Sequence, residues 1–321
     1  MPNGIVKTNG GGGSHGRDEH IAELERRMKA LKASAAPKSP SQGSQAGARD
    51  LTFSARSRTL HETSEAIECR MVNKEEPAVS RDGFERKAPL TREQDDEVEE
   101  CLGMGPPNQV VARGYNAEIT RQQMQCLQPL QWLNDEVINM YMKLLDARDE
   151  ELCGKDPSRR RSHFFSSFFV TKLTQNNYSY SGVRRWTRKV KVFNLDKIFC
   201  PVNVGNTHWC MAVIYVQEKR VCYYDSMGSK GSRVTGALML WLEDEDNDKS
   251  EPDGMFDPDE WKVEGTNLAT TPQQENGSDC GVFACTFAAY ATDSVPFNFS
   301  QADMLNIRRR IAWNVLKQRL V

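Results

Sequence analysis

No apolar run in the sequence approaches the length that crosses a bilayer, and its start, MPNGIVKTNGGGG, lacks the apolar core of a signal peptide. A soluble, intracellular protein with no membrane span is therefore expected. Net charge is nearly absent too: a formal -2 over 321 residues gives no reason to expect nucleic acid as a partner. None of the nine cysteines forms a CxxC pair, and no Cys/His group has zinc-finger spacing. No metal or other cofactor is expected. Histidine is scarce, at five residues, which leaves few candidates for a general base.

Hydrophobic residues make up 38% and charged residues 27%. The mean hydropathy of -0.64 is too polar for a wholly folded chain, so a globular part with a disordered part attached is expected. Residues 1–87 read as a disordered N-terminal tail, with a glycine run at Gly10 to Gly13 and a Ser, Ala, Gly and Pro-rich stretch over 34–48. Ile21, Leu24, Met28 and Leu31 fit a short helix near 18–33. Two heptads make a weak coiled coil, so it reads as a transient helix rather than a dimerisation device.

The folded domain is expected from about Pro89, over residues 88–321. Thr91 with Gln94, and Thr120 with Gln123, have capping-box spacing and each predicts a helix start. Residues 134–146 place Val137, Ile138, Tyr141, Leu144 and Leu145 on one helical stripe. Lys191–Val204, Trp209–Val216 and Arg220–Asp225 read as strands, and helical periods return at 232–242, 281–292 and 301–319. This order predicts an α+β fold, a central mixed sheet flanked by helices. The acidic stretch 243–260 reads as a solvated loop, and the basic runs 159–161 and 184–191 as scattered surface charge or a contact for an acidic surface.

Residues 271–285, TPQQENGSDCGVFAC, carry the chemistry. Asn276-Gly277 marks a turn, Ser278 and Asp279 are N-cap candidates, and a helix follows. Cys280 then falls in a first helical turn, where unpaired N–H groups and the helix dipole favour a thiolate. Gly281 is expected to leave the sulfur uncluttered, and Cys285 to face the core. A thiol of pKa ~8.5 is mostly protonated at neutral pH and needs a base beside it. His15, His20 and His61 lie in the tail and its linker, and His163 follows an arginine run. His208, at the start of an apolar strand, is the best-placed base. The next strand ends at Asp225, which would orient the imidazole from the same sheet edge. A symmetric hairpin turning at Glu218-Lys219 pairs Asp225 with about residue 212, so an offset, bulge or twist must bring it to His208. Gln274 is the candidate side-chain donor to an oxyanion, with the Cys280 N–H as the second.

These residues, with His208-Trp209, Tyr224-Asp225-Ser226-Met227-Gly228, Pro272 to Gly281, Trp132 to Asn139 and Arg185-Trp186-Thr187, resemble the SUMO-specific (sentrin-specific) cysteine proteases. The resemblance runs from near Pro89 to the C-terminus. It implies an adenain-like, papain-like protease fold and cleavage after the C-terminal Gly-Gly of SUMO, maturing SUMO precursors and releasing SUMO from target lysines. By the same resemblance, His208, Asp225 and Cys280 form the triad and Gln274 the oxyanion residue. Trp132 and Trp209 form a tunnel over the glycines, and Asp135 pairs with an arginine of SUMO. SUMO and its conjugates would be the partners, the catalytic domain a monomer, and the location nuclear and also cytoplasmic. The alternatives are the same chemistry on another ubiquitin-like modifier, as in a deneddylase, a catalytically inactive SUMO-binding module, or an acyltransferase on a similar framework.

Overall fold

Capping residues and apolar periods set where the elements begin, and packing sets how far they run. The computed structural model describes residues 84–249 and 254–320. Residues 1–83 of the tail expected over 1–87, with the helix expected near 18–33, lie outside the described residues. Residues 84–87 do not share the tail's expected character. Phe84 is buried, the Arg148 guanidinium lies 4.7 Å from its ring centroid, and Arg86 pairs with Asp293. The packed chain thus starts ahead of the boundary expected near Pro89.

Helix α1 (Arg92–Leu102) opens on the predicted capping box, Thr91 with Gln94. Strands β1 (Val110–Gly114) and β2 (Ala117–Thr120) form a hairpin that turns at Tyr115-Asn116, both at positive φ. The second predicted box, Thr120 with Gln123, opens the short α2 (Arg121–Met124). Asn134 caps α3 (Asp135–Lys155) by accepting from the Val137 N–H at 2.9 Å. Then follow β3 (His163–Phe164), α4 (Phe168–Leu173), β4 (Lys197–Val204), β5 (His208–Tyr215) and β6 (Arg220–Tyr224). The chain closes with α5 (Ser232–Lys249), β7 (Lys262–Glu264), α6 (Cys280–Thr292) and α7 (Met304–Lys317).

Strands β3 to β7 form one sheet in sequence order, parallel at its two outer pairs and antiparallel inside, so the sheet is mixed as predicted. Its middle strand, β5, is buried on both faces. Met211, Val213 and Tyr215 join the core that includes α6, whereas Cys210, Ala212 and Ile214 join the core that includes α5. Two-sided burial explains why 209–216 is continuously apolar instead of alternating. Every residue of α6 is buried, as an all-round apolar helix must be.

The acidic stretch differs from the loop expected of it. Helix α5 continues through residue 249, and Glu245 and Asp246 are buried. Glu245 accepts from the Thr187 hydroxyl at 2.8 Å and pairs with Lys249, Asp248 pairs with Arg184, and Asp246 accepts from the Met255 and Phe256 N–H groups. Charge in this stretch is matched internally by partners from 184–187 and 249, which is why a helix survives so many carboxylates.

Candidate active site

Helix α6 starts at Cys280, after a turn made by Asn276. The Asn276 Oδ1 accepts from the N–H groups of Ser278 at 3.0 Å and Asp279 at 3.1 Å, which reverses the chain. Asp279 occupies the N-cap position but makes no side-chain cap, contrary to expectation. Its carboxylate is taken up by Arg308 at 2.5 Å, Asn276 at 2.7 Å and Gln301 at 2.8 Å. The first-turn N–H groups therefore keep the positive end of the helix at the residue that carries the sulfur. Gly281 serves packing more than access. A Cβ there would lie 2.7 Å from the Leu133 Cβ, so only glycine lets the helix approach that segment. Cys280 is 2% exposed. Cys285, one turn on, is in the core as expected, and burial pushes its thiol pKa up.

His208 and Asp225 meet. Nε2 of His208 lies 2.7 Å from Oδ1 of Asp225. The regular ladder of β5 and β6 pairs Met211 with Tyr224 and Tyr215 with Arg220. Continued by one step, it sets Asp225 opposite Cys210, two residues closer to His208 than a turn at Glu218-Lys219 implies. The hairpin turns over Val216–Lys219, with Lys219 at positive φ, and no bulge interrupts the pairing. At the strand end, Thr266 accepts from the Asp225 N–H and donates to the Tyr223 carbonyl, each at 3.1 Å. The carboxylate of Asp225 also accepts from the Met227 N–H at 2.7 Å and the Ser229 N–H at 3.2 Å.

The electrostatics follow from these bonds. Burial works against the charged form of both groups. It is outweighed at His208 by hydrogen bonds to Asp225, Cys210 and Cys280, which raise the imidazole pKa well above its usual value. Burial is likewise outweighed at Asp225 by His208 and the Met227 N–H, so its pKa is lowered. His208 thus meets the carboxylate through Nε2, and the Cys280 thiol is among the groups that favour its charged form. His163 takes the opposite course, with burial lowering its pKa to about 4.

Gln274 is held at both ends of its amide. Its Nε2 donates to the Asn276 carbonyl, which fixes the amide orientation, and its Oε1 accepts from the Ser226 hydroxyl at 2.6 Å. Trp132 is 53% exposed and Trp209 5% exposed. The Trp132 indole N–H donates to the Gly277 carbonyl and that of Trp209 to the Leu133 carbonyl, each at 2.8 Å. Both indoles are therefore pinned to the segments that flank Cys280 and Trp132 itself. Asp135 sits in the first turn of α3, where it accepts from the Ser167 hydroxyl at 2.7 Å.

Three features escaped the sequence reading. Ser226 orients Gln274; its place directly after Asp225 in the strand-end motif was the available signal. Phe168, 53% exposed, directly follows Ser167, whose hydroxyl donates to Asp135. Arg308 binds Asp279 from a helix whose apolar stripe, Met304, Ile307, Ile311 and Val315, also contains Arg308. A charged residue inside an apolar stripe is the pattern that marks it. His208, Cys210 and Asp225 also place a nitrogen, a sulfur and an oxygen within 4.8 Å of one another, a cluster that belongs to this same site.

Comparison with known proteins extends the geometry. The family model described as the Ulp1 protease family, C-terminal catalytic domain, matches residues 131–320. The chain is 35% identical over 257 residues to sentrin-specific protease 2 of Rattus norvegicus, covering 80% of this chain and 41% of that protein. It is 37% identical over 232 residues to sentrin-specific protease 2 of Homo sapiens, covering 72% and 38% respectively. The chain thus spans less than half the length of these relatives. Among solved structures, it is similar to the C-terminal Ulp1 protease domain in complex with Smt3, the yeast ortholog of SUMO. That match has a TM-score of 0.61 and 29% identity, over 73% of this chain and 99% of the other.

Proposed function

From the chain's membership in the Ulp1 protease family, we propose that it is a cysteine protease that cleaves after the C-terminal Gly-Gly of SUMO. Its substrates are SUMO precursors and the isopeptide bonds between SUMO and target lysines. The observation that carries the reading is the imidazole of His208, bonded at 2.7 Å to the buried Asp225, with the Cys280 thiol among the groups that favour its charged form. An imidazolium held in this way favours a thiolate beside it.

In the mechanism, the Cys280 thiolate attacks the carbonyl carbon of the terminal glycine. The resulting oxyanion accepts from the Cys280 N–H and from the Gln274 amide hydrogen not engaged by Asn276. His208 donates its proton to the departing amine, leaving a thioester on Cys280. The neutral imidazole then takes a proton from water, the hydroxyl adds to the thioester, and the thiolate departs. Asp225 holds the ring orientation and stabilises its cation throughout. The indole faces of Trp132 and Trp209 suit a chain without side chains and exclude bulkier residues. Asp135 supplies a rim carboxylate for a basic residue of the modifier, which acts on specificity and association rate more than on affinity.

The test uses SUMO carrying a C-terminal electrophile, alongside other ubiquitin-like modifiers carrying the same group. The wild-type protein is expected to form a covalent adduct with SUMO, and Cys280→Ser none. Absence of a SUMO adduct overturns the proposal, and an adduct with a different modifier alone transfers the chemistry to that modifier.

A further inference from the structure

The nucleophile loop and the Trp132 segment are joined from beneath by Arg308, which is 1% exposed. Its Nη1 donates to the carbonyls of Cys126 at 2.8 Å, Gln128 at 3.1 Å and Gln131 at 3.0 Å. Its Nη2 donates to the Ser278 carbonyl at 3.4 Å and to Asp279 Oδ1 at 2.5 Å. The first set of acceptors ends one residue before Trp132, and the second ends one residue before Cys280. Asp279 extends the connection. Its Oδ2 accepts from Asn276 and from Gln301, and the Gln301 Oε1 accepts from the Glu275 N–H at 2.8 Å. The Gln274–Cys280 loop is therefore braced along its length by α7 and the turn before it.

We propose that Arg308 is a positioning residue, which through Asp279 sets the spacing between the Trp132 indole and the Cys280 loop. The glycine-terminated chain must lie under that indole and in line with the sulfur at the same time. A rigid, planar guanidinium with several directional donors can hold two segments in one geometry, whereas an ammonium on a flexible stem cannot. A buried pair of this kind contributes more to a unique arrangement than to net stability, because desolvation offsets its Coulomb attraction. The inference rests on the glycine-directed protease reading, since spacing of this sort matters to an extended substrate and little to a small reagent.

The experiment compares two rates in the full chain: adduct formation with electrophile-bearing SUMO, and alkylation of Cys280 by iodoacetamide, read on the Cys280 peptide by mass spectrometry. Arg308→Lys keeps a charge opposite Asp279 and loses the fork. It is expected to slow the SUMO adduct about 100-fold, the scale of a misplaced reacting pair, with iodoacetamide alkylation unchanged. Gln301→Ala, which removes an outer link without leaving a buried ion unpaired, is expected to move the same ratio in the same direction by a smaller factor. It carries the test if Arg308→Lys does not fold. Variants as fast as wild type with SUMO overturn the proposal, as does a parallel fall in both rates, which indicates general loss of the site. If the wild type itself fails to react with SUMO while iodoacetamide alkylates Cys280, the protease reading fails instead.

Discussion

At the residue scale, the behaviour of His208 depends on a carboxylate that has almost no contact with water. Asp225 is 2% exposed and its bonds to His208, the Met227 N–H and the Ser229 N–H hold it ionised. It in turn keeps the imidazole protonated through neutral pH. Asp225→Asn removes the charge while the burial that lowers the imidazole pKa remains. The His208 pKa then falls, and the alkaline limb of activity moves to lower pH. At pH 8, kcat/KM on a SUMO C-terminal fluorogenic substrate is expected to drop at least about 100-fold. A pH–rate profile checks this, and an alkaline limb in the same place as wild type would refute the coupling. The candidate residues themselves were legible in the sequence, because Cys280, His208, Asp225 and Gln274 stand in motifs a few residues long. The use made of Asp279 was not. An aspartate before a helix reads as a cap, whereas here Arg308 and Gln301, far along the chain, and Asn276 take up its carboxylate.

At the scale of elements, α6 and the segment before α3 come together because one position on the helix has no side chain. With Gly281 replaced, the new Cβ would sit 2.7 Å from the Leu133 Cβ and 2.9 Å from its Cγ. Leu133 also offers the carbonyl that holds the Trp209 indole. Gly281→Ala is therefore expected to lower stability by ~1–3 kcal/mol through overpacking, against a small gain from alanine's better helix propensity. It should also slow the SUMO reaction, because the Trp132 segment is pushed away from Cys280. Denaturant unfolding and adduct kinetics measured together check this; a variant with unchanged stability and rate would mean that Leu133 moves aside freely. The capping boxes at Thr91 and Thr120 were readable from sequence because a cap involves residues within one turn. The extent of α5 was not readable, since its acidic end survives through Thr187 and Arg184, which lie in a turn segment far from it in sequence.

At the scale of the whole molecule, the buried ion pairs set the window of pH in which the fold is strongest. Asp225 and Asp279 both have lowered pKa values, with burial opposing and their cationic or N–H partners prevailing. A depressed carboxylate stabilises the fold fully above its unfolded pKa of about 3.9, and that contribution is lost as pH falls through the folded value. His208, raised, contributes fully below its unfolded pKa of about 6.5, and loses this only as pH rises through its higher folded value. His163 closes this window from the acid side, because burial lowers its pKa to about 4 and the contribution of its neutral form is lost as pH falls from about 6.5 towards 4. Thermal stability is therefore expected to be greatest near about pH 6.5 and to decline on both sides, most steeply below about pH 4, where the carboxylates also take up protons. Thermal unfolding across pH tests this. In Asp279→Asn, the acid fall should become shallower even though the variant starts less stable, because one depressed carboxylate has been removed.

The sequence by itself determined where several helices start, the three strands at the middle of the sheet, the mixed α+β character, and the place of Cys280 at a helix start. These depend on caps, turn residues and apolar periods, whose reach is a turn or a strand length. The tertiary structure decided the rest: the two-residue shift that brings Asp225 to His208, the burial of the acidic end of α5, the requirement for glycine at 281, and the bridge from Arg308 to both walls of the site. Each of these arises from a contact between segments that the chain itself keeps apart, so no local pattern could record it.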